Sequence, residues 1–231
     1  MLSRMRERRL QLDVWSDIVC PWCFVGKRRL DRALADFAHR DAVDVRWHAF
    51  ELDPAAPQSY EGEGSYADRL GLKYGTDVAE AQAMIDRMVR VAAEDEVTLD
   101  FERARTGNTF DAHRLLHFAA AQGRQGALEE RLFRACFSEG QPIADRETLV
   151  ALAADVGLDA EEARAVVFSD AYADAVRADE AQAGELGIRG VPFFVLDGTY
   201  AISGAQPTEL MREALERAWQ DSSAPENSLV P

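Results

Sequence analysis

The sequence predicts an α/β protein in which a helical segment interrupts a single α/β domain. Residues 10–16 alternate apolar and polar side chains as a β-strand does, a helical pattern follows, and residues 43–52 alternate again. From about residue 53 to about 187 the apolar residues recur with helical spacing. Strand patterns return only near the end of the chain. The predicted order is therefore βαβ, a helical block, and then αββα.

The first three elements are typical of a βαβ unit. Leu10, Leu12 and Val14 face one side of the first strand, and the alternation "VDVRWHAFEL" marks the second strand. Between them, "FVGKRRLDRALADFA" carries an apolar helical stripe. A connection of this kind is right-handed in almost all proteins, so the two strands should be parallel neighbours.

The later elements follow from periodicity and turn residues. Helical stripes run through "DVAEAQAMIDRMVRVAAED", "TFDAHRLLHFAAAQG", "ALEERLFRACFSEG", "ETLVALAADVGL" and "AYADAVRADEAQAGELG", the last ending at a capping Gly187. Two short strands in "VPFFVLDGTYAISG" are joined by Asp197-Gly198, a hairpin signal. Pro207 opens a last helix. Residues 221–231 have the composition of a flexible tail.

Composition narrows the class of partner and the compartment. The chain has 231 residues and a net charge of −15, from 26 basic and 41 acidic side chains, so we expect no nucleic-acid partner. No stretch approaches the roughly 18 apolar residues of a membrane span, and no apolar region follows the basic N-terminus as in a secretory signal. Three cysteines, an odd number, fit a reducing compartment. We therefore expect a cytoplasmic protein that does not bind membranes.

The motif Cys20-Pro21-Trp22-Cys23 lies where the first strand gives way to the first helix. A helix N-terminus stabilises an anion, and a thiolate is an anion. Pro21 suits the first helical turn, where a missing N–H costs nothing. Cysteines three residues apart on a helix meet the Cα separation of about 4.4–6.8 Å that a disulfide needs. The motif predicts a redox couple in which Cys20 attacks a disulfide and the deeper Cys23 resolves the product.

Metal binding and simple burial are the alternatives for these cysteines. Structural zinc takes four ligands, and the third cysteine, Cys136, is solitary. His113 and His117 have helical i,i+4 spacing but lie far along the chain, where packing or a surface position explains them. We therefore expect no metal site. Cys136 lies among apolar residues, and we expect it in the core.

The second motif is "GIRGVPFFV". Only about 5–6% of X-Pro bonds are cis in folded proteins, so Val191-Pro192 alone is weak evidence for a cis bond, and a strand-start proline explains it equally.

Together, "SDIVCPWCFVGKRRL", "NTFDAHRLL" and "GIRGVPFFV" resemble the DsbA-like thioredoxin family, in this order and over roughly residues 10–220. The likeness is greatest to cytosolic FrnE-type proteins, described as disulfide oxidoreductases linked to polyketide biosynthesis. It implies a thioredoxin fold interrupted by an inserted all-helical domain. The expected thioredoxin-like domain is discontinuous, comprising 8–53 and 188–220. Residues 54–187 would form the insertion, its last helix joining the thioredoxin half.

The resemblance also implies roles for individual residues. Cys20 is the expected nucleophile and Cys23 the resolving thiol, with Val191-Pro192 a cis peptide facing them. In such folds the backbone before the proline receives a substrate segment as an added strand. We expect Trp22 on the rim of the site.

Two further residues are placed near the site by likeness to 2-hydroxychromene-2-carboxylate isomerases and kappa-type glutathione transferases, whose matching segment lines the cleft. These are Asn108 and His113. Helix capping by Asn108 or Thr109 is an equally good reading of that segment. Asp17, close to Cys20 in sequence, would oppose a thiolate there.

Three functions remain open on these grounds. The first is a thiol–disulfide oxidoreductase or isomerase acting on protein or small-molecule disulfides and served by a reductase or thiol buffer. The second is a glutathione-dependent isomerase or transferase with a small aromatic or polyketide substrate. The third is a redox-sensing, partner-binding protein. No tightly bound cofactor is expected, with glutathione or another small thiol as the candidate co-substrate. Monomer and homodimer are both compatible with the sequence.

Overall fold

The computed structural model describes residues 8–60, 62 and 64–222. Its strands are β1 (Leu10–Ser16), β2 (Val43–Ala49), β3 (Phe193–Leu196) and β4 (Tyr200–Ser203). Its helices are α1 (Pro21–Ala35), α2 (Tyr66–Tyr74), α3 (Val78–Glu94), α4 (Phe110–Ala121), α5 (Gln125–Arg134), α6 (Arg146–Asp155), α7 (Ala160–Val167), α8 (Ala173–Glu185) and α9 (Thr208–Asp221). A 3-10 turn, Arg40–Ala42, precedes β2, and a π-helical turn, Ala135–Glu139, continues α5.

The sheet has the order β2-β1-β3-β4. Strand β1 pairs in parallel with β2 and antiparallel with β3, which in turn pairs antiparallel with β4. The predicted βαβ unit and C-terminal hairpin are both present. Asp197 and Gly198 at the hairpin turn have φ angles of 47° and 64°. Positive φ at both central residues matches the right-handed twist of the flanking strands, which is why the pair predicts a hairpin.

Strand β1 is central and is covered on both faces. Leu12 and Val14 belong to a buried cluster that includes residues of α1 and α9. On the other face, Trp15 packs in a small cluster with Ala183 and Ile188, at the end of α8 and just after it. The sheet thus lies between α1 and α9 on one side and α8 on the other. Because these layers hold β1 in place, they also fix the position of the residues that lead from its carboxyl end to the start of α1.

Side-chain caps mark the starts of α2, α3, α6 and α7. Asp77, Asp145 and Asp159 each accept a backbone N–H bond at a helix N-terminus, and Ser65 forms a capping box with Asp68. The predicted cap after α8 is present, because Gly187 has a φ of 70° and Ile188 N–H donates to Ala183 O at 2.9 Å.

The helical segment and the start of α1 share one core. Cys20, Cys23 and Phe24 belong to the same buried cluster as residues of α3 to α7. Phe24 stacks on Phe133 of α5, with ring centroids 5.1 Å apart. Apolar burial of this kind, worth about 25 cal/mol per Å², holds the helical segment against the CPWC motif.

The last helix, α9, extends to Asp221, the first residue of the predicted tail. Residues 223–231 of that tail lie outside the described residues. Within the described part of the chain, no helix combines the length and apolarity that crossing a bilayer demands.

Candidate active site

The CPWC motif occupies the N-terminus of α1. Cys20 is the N-cap residue in an extended conformation, φ −96° and ψ 109°, and its backbone N–H donates to Asp17 O at 3.0 Å. Pro21 takes the first helical position, where a proline ring fits without losing a hydrogen bond. The first turn of α1 contains no acidic side chain. The positive end of the helix dipole is therefore not offset by a charge within that turn.

The two thiols differ in depth. All three cysteines are free, and Cys20 keeps 5% of its surface exposed while Cys23 keeps none. Burial, together with the neighbouring Cys20 thiol, raises the pKa of Cys23 well above its ordinary value. Trp22 between them is 41% exposed. The Cys20 sulfur is therefore the outer of the two, and the Cys23 thiol is held protonated at neutral pH.

The loop before β3 lies directly against Cys20. The Val191-Pro192 peptide bond is cis, and Cys20 Sγ lies 3.5 Å from Val191 O. Gly26 of α1 permits this approach, since a Cβ there would stand 2.8 Å from Pro192 Cγ. An open cleft of about 400 Å³ runs along the loop and the start of β3. The structure thus places Cys20 against Val191, and Val191 and Pro192 line the cleft.

A buried polar pair lies on the inner side of the thiols. Ser16, the last residue of β1, donates its hydroxyl to Oε1 of Glu129 on α5 at 2.7 Å. Glu129 is 1% exposed. Burial raises the pKa of Glu129 to about 7, partly opposed by the Ser16 hydroxyl, His113 and Lys27. The Ser16 hydroxyl lowers the pKa of the Cys23 thiol and so partly offsets the effect of burial.

His113 points into the same interior region. It is 2% exposed, and its Nε2 lies 3.4 Å from Oδ1 of the fully buried Asp17, close enough for ion pairing. Burial disfavours the charged imidazole, but the Asp17 carboxylate outweighs it and raises the pKa of His113. Asp17 also accepts the Leu52 N–H at 2.8 Å. His113 is therefore held against the residue whose carbonyl anchors Cys20.

Asn108 has the contacts of a helix-capping residue. Its Oδ1 accepts the Phe110 N–H at 3.0 Å, and its own backbone N–H donates to Pro57 O at 2.9 Å. Thr109, at the N-cap position of α4, makes no side-chain capping bond. Among the described residues, the hydrogen bonds of Asn108 go to α4 and to the loop 54–57, and none goes to a thiol.

A sequence model of the DSBA-like thioredoxin domain matches residues 11–216. The chain belongs to this family. The match spans β1 through α9, so it includes both the sheet and the helical segment. The fold is accordingly the thioredoxin fold with a large helical insertion.

Solved structures and a curated relative agree with this assignment. A probable DsbA oxidoreductase from Streptomyces coelicolor is 44% identical, with a TM-score of 0.86 over 96% of this chain and 94% of that one. The cytosolic disulfide reductase DsbM from Pseudomonas aeruginosa, solved with GSH, shares the fold at 22% identity, with a TM-score of 0.63 over 91% of this chain and 99% of that one. An uncharacterized Bacillus subtilis protein, YwbO, is 29% identical over 89% of this chain and 96% of its own length. Family and neighbours together support thiol–disulfide oxidoreductase chemistry in general.

Ser16 and Glu129 are two buried residues of this DSBA-like domain that the sequence patterns did not single out. A signal for Glu129 was present, because it stands four residues before Phe133 and next to Leu128, both fully buried. An acid on the apolar face of a helix must find a partner, which is here a serine from β1. The partner itself could not be read from the helical pattern.

Cys136 takes no part in the dithiol contacts. It is fully buried in the π-helical turn after α5, with Sγ 4.0 Å from Arg105 O. Burial, and the Asp17 charge to a smaller extent, raise the pKa of Cys136 far above its ordinary value. Such a thiol is unreactive, so Cys136 serves the core of this DSBA-like chain.

Proposed function

We propose that this protein is a cytoplasmic thiol–disulfide oxidoreductase in which Cys20 attacks and Cys23 resolves. One observation carries the proposal: the outer sulfur of Cys20 lies at a helix N-terminus and 3.5 Å from Val191 O, while Cys23 is fully buried one turn further on. Nucleophilic attack needs an accessible thiolate, and resolution needs a second thiol within disulfide reach.

The reaction balances as two exchange steps. The Cys20 thiolate attacks one sulfur of a substrate disulfide, forms a mixed disulfide and releases the other sulfur as a thiolate. Cys23 then attacks Cys20 Sγ, forming the Cys20–Cys23 disulfide and releasing the second substrate thiolate. A small thiol such as glutathione, or a reductase, returns the pair to the dithiol. In a reducing compartment the net direction is reduction or reshuffling of substrate disulfides.

We place the substrate in the cleft beside Val191-Pro192. An extended peptide segment can hydrogen-bond with backbone groups next to a sheet and so present its disulfide to Cys20. Trp22, 41% exposed between the two cysteines, supplies an aromatic surface at the rim. Asn108 is not needed in this arrangement, since its contacts are those of a cap.

The test is insulin reduction by the wild type, Cys20→Ser and Cys136→Ala, with glutathione or dithiothreitol as the electron source. We expect Cys20→Ser to fall to the uncatalysed rate, because the hydroxyl is not a nucleophile for disulfides at neutral pH. Cys136→Ala, which removes the third and buried thiol, should keep activity. Equal activity in Cys20→Ser and wild type would refute the proposal.

A trapping experiment identifies what Cys20 attacks. Cys23→Ser cannot resolve the mixed disulfide, so the substrate should stay attached to Cys20 and be visible by mass spectrometry of protein isolated from cell extract. Protein adducts agree with the proposed function. Small-thiol adducts, together with isomerase turnover that survives Cys23→Ser, would instead favour the glutathione-dependent isomerase.

A further inference from the structure

The cleft beside the cis peptide bond is bordered by a positive charge. Its lining comes from the loop before β3, the first residue of β3 and the end of β4. Among the described residues that line it, Arg189 is the one with a charged side chain. Arg189 lies two residues before Val191, whose carbonyl oxygen is 3.5 Å from Cys20 Sγ. Two residues of chain span at most about 7 Å, so this arginine belongs to the immediate surroundings of the outer thiol.

No carboxylate neutralises this arginine within the part of the chain that the structure describes. Arg189 is exposed, and its guanidinium makes neither an ion pair nor a hydrogen bond with the described residues. The arginines of α1 differ in this respect, since Arg28 pairs with Glu130 and Arg29 with Asp95. An arginine side chain keeps its charge throughout the physiological pH range. The cleft therefore presents an uncompensated cation to whatever enters it.

The start of α1 adds to the positive potential at this place. Cys20 is the N-cap residue, and the first turn of the helix contains no acidic side chain. The partial positive charge of a helix N-terminus acts on groups close to its first turn. Two independent features, the helix end and Arg189, thus favour an anionic group next to a disulfide that reaches Cys20.

We propose that Arg189 makes the protein selective for disulfides in peptide segments that carry a carboxylate close to the disulfide cysteine. The inference rests on the proposed function and names its substrate class. A segment that pairs through its backbone with the chain before Pro192 gains affinity from main-chain hydrogen bonds, whatever its sequence. Selection among such segments must come from side chains that line the cleft. Arg189 is a specificity-determining residue and takes no part in the exchange of sulfurs.

The chemistry of the side chain matches a carboxylate. A guanidinium is a planar fork of N–H donors that can bind both oxygens of a carboxylate at once. The cleft is open to solvent, and an ion pair in such a place changes an equilibrium by up to about five-fold. The interaction does not change as the S–S bond breaks, so we expect it in KM and not in kcat.

The test compares peptide disulfides that differ only in the residue beside the cysteine, which is glutamate, glutamine or lysine. Each joins a fluorescent peptide to a quenching peptide, with uncharged dithiothreitol as the electron source, and each rate is divided by the uncatalysed rate of the same peptide. For the wild type we expect kcat/KM to be about five-fold higher with glutamate than with glutamine, and about five-fold lower with lysine. In about 1 M salt, where the screening length is about 3 Å, the values should converge.

Variants at residue 189 make the test specific. Arg189→Gln should remove the preference for glutamate, Arg189→Glu should reverse it, and Arg189→Lys should retain part of it because the charge remains. The readout is the ratio between peptides within one variant, which a general loss of activity does not move.

Arg124→Gln is the matched control. Arg124 is also exposed and makes no side-chain ion pair with the described residues. It is the N-cap residue of α5, and the next residue, Gln125, hydrogen-bonds with Trp47 of β2. Strand β2 lies at the opposite edge of the sheet from β4. This variant removes the same charge from the protein and should keep the wild-type preference.

The outcomes separate this inference from the proposed function. If the wild type reduces none of the peptides above the uncatalysed rate, the dithiol function fails and the inference fails with it. If the wild type reduces all of them with equal kcat/KM, or if Arg189→Gln keeps the wild-type preference, the dithiol function stands and the role of Arg189 is refuted. A preference that is lost in Arg189→Gln and kept in Arg124→Gln supports the inference.

Discussion

At the scale of single residues, Glu129 is buried in the protein interior, where its charged form is unfavourable. Burial moves its pKa from 4.5 to about 7, so the folded protein binds this proton more tightly than the unfolded chain does. Linkage then fixes the sign. The free energy of unfolding falls as the pH rises from about 4.5 to about 7 and levels off above that range. Glu129 therefore lowers the stability of the fold at neutral pH.

Glu129→Gln should accordingly stabilise the fold at neutral pH and above. Glutamine has the same shape and can still accept from Ser16, but it has no charge to bury. We expect a higher free energy of unfolding than the wild type at about pH 8, and little difference at about pH 5. Urea unfolding of both proteins at the two pH values measures this. A variant less stable than the wild type at both would show that Glu129 is a purely structural partner of Ser16.

Sequence patterns could predict the part of the site that is local. Cys20, Pro21 and Cys23 are close in the chain, and the strand before and the helix after them show their place. Ser16 and Glu129 are 113 residues apart. Their meeting depends on how α5 packs against the end of β1, which the spacing of apolar residues in either segment does not contain. For Asn108 the sequence left helix capping and a place in the site equally open, and its hydrogen bonds in the structure are those of a cap.

At the scale of elements, α1 carries the thiols and also packs against the loop that faces them. Gly26 lies one turn after Cys23, and a Cβ there would come within 2.8 Å of Pro192 Cγ. Real Cβ atoms do not approach a ring carbon so closely, so the helix and the loop can meet only because residue 26 is glycine.

Gly26→Ala should therefore cost stability and disturb the site together. Overpacking of this kind costs about 1–3 kcal/mol, and pushing the loop away should also slow the attack by Cys20. Gly184 in α8 is the matched control, since a Cβ there meets nothing within 4 Å. Gly184→Ala should be neutral or stabilise by up to about 1 kcal/mol. Thermal unfolding and the rate of insulin reduction test both variants, and a Gly26→Ala protein equal to wild type in both would contradict the packing argument.

The elements themselves followed largely from periodicity, for a physical reason. Strand alternation and helical stripes show, from neighbouring residues alone, which side of an element is buried. They do not say what covers it. Strand β1 buries both faces, one under α1 and α9 and the other under α8, and that second cover could be seen only in the fold. The π-helical turn after α5 likewise has no signal in the apolar spacing.

At the scale of the whole molecule, a polar network joins the sheet to the insertion. His48 of β2 contacts Asp13 of β1 and Asp179 of α8, each at 2.8 Å. His117 of α4 contacts the second oxygen of Asp179 at 2.9 Å, and His48 stacks on Trp15 with ring centroids 4.5 Å apart. Four elements from both parts of the chain therefore meet at two histidines and two carboxylates.

The charge state of this network sets its contribution to stability. Burial opposes a charge on His48, but hydrogen bonds to Asp13 and Asp179 outweigh it and raise its pKa from 6.5 to about 9. The same contacts overcome the effect of burial on the two carboxyls and lower the pKa of each. The folded state thus favours a charged imidazole between two carboxylates.

The last prediction concerns the pH range over which this junction holds. Because the folded pKa of His48 is raised, its contribution is fully present below about pH 6.5 and is lost as the pH rises through about 9. The shift corresponds to about 3 kcal/mol. The carboxylates act oppositely, and their contribution is lost in strong acid. Urea unfolding between about pH 6 and about pH 10 should show the decline in the wild type.

His48→Gln should be less stable at neutral pH and should show a smaller alkaline decline than the wild type, because glutamine does not titrate while the raised pKa of His113 still contributes. His39→Gln is the matched control, since His39 is exposed and stacks on Trp219 away from the network. A decline of the wild-type size in His48→Gln would mean that another group controls the alkaline limit. If the decline is reduced in His48→Gln and unchanged in His39→Gln, protonated His48 stabilises the junction between sheet and insertion.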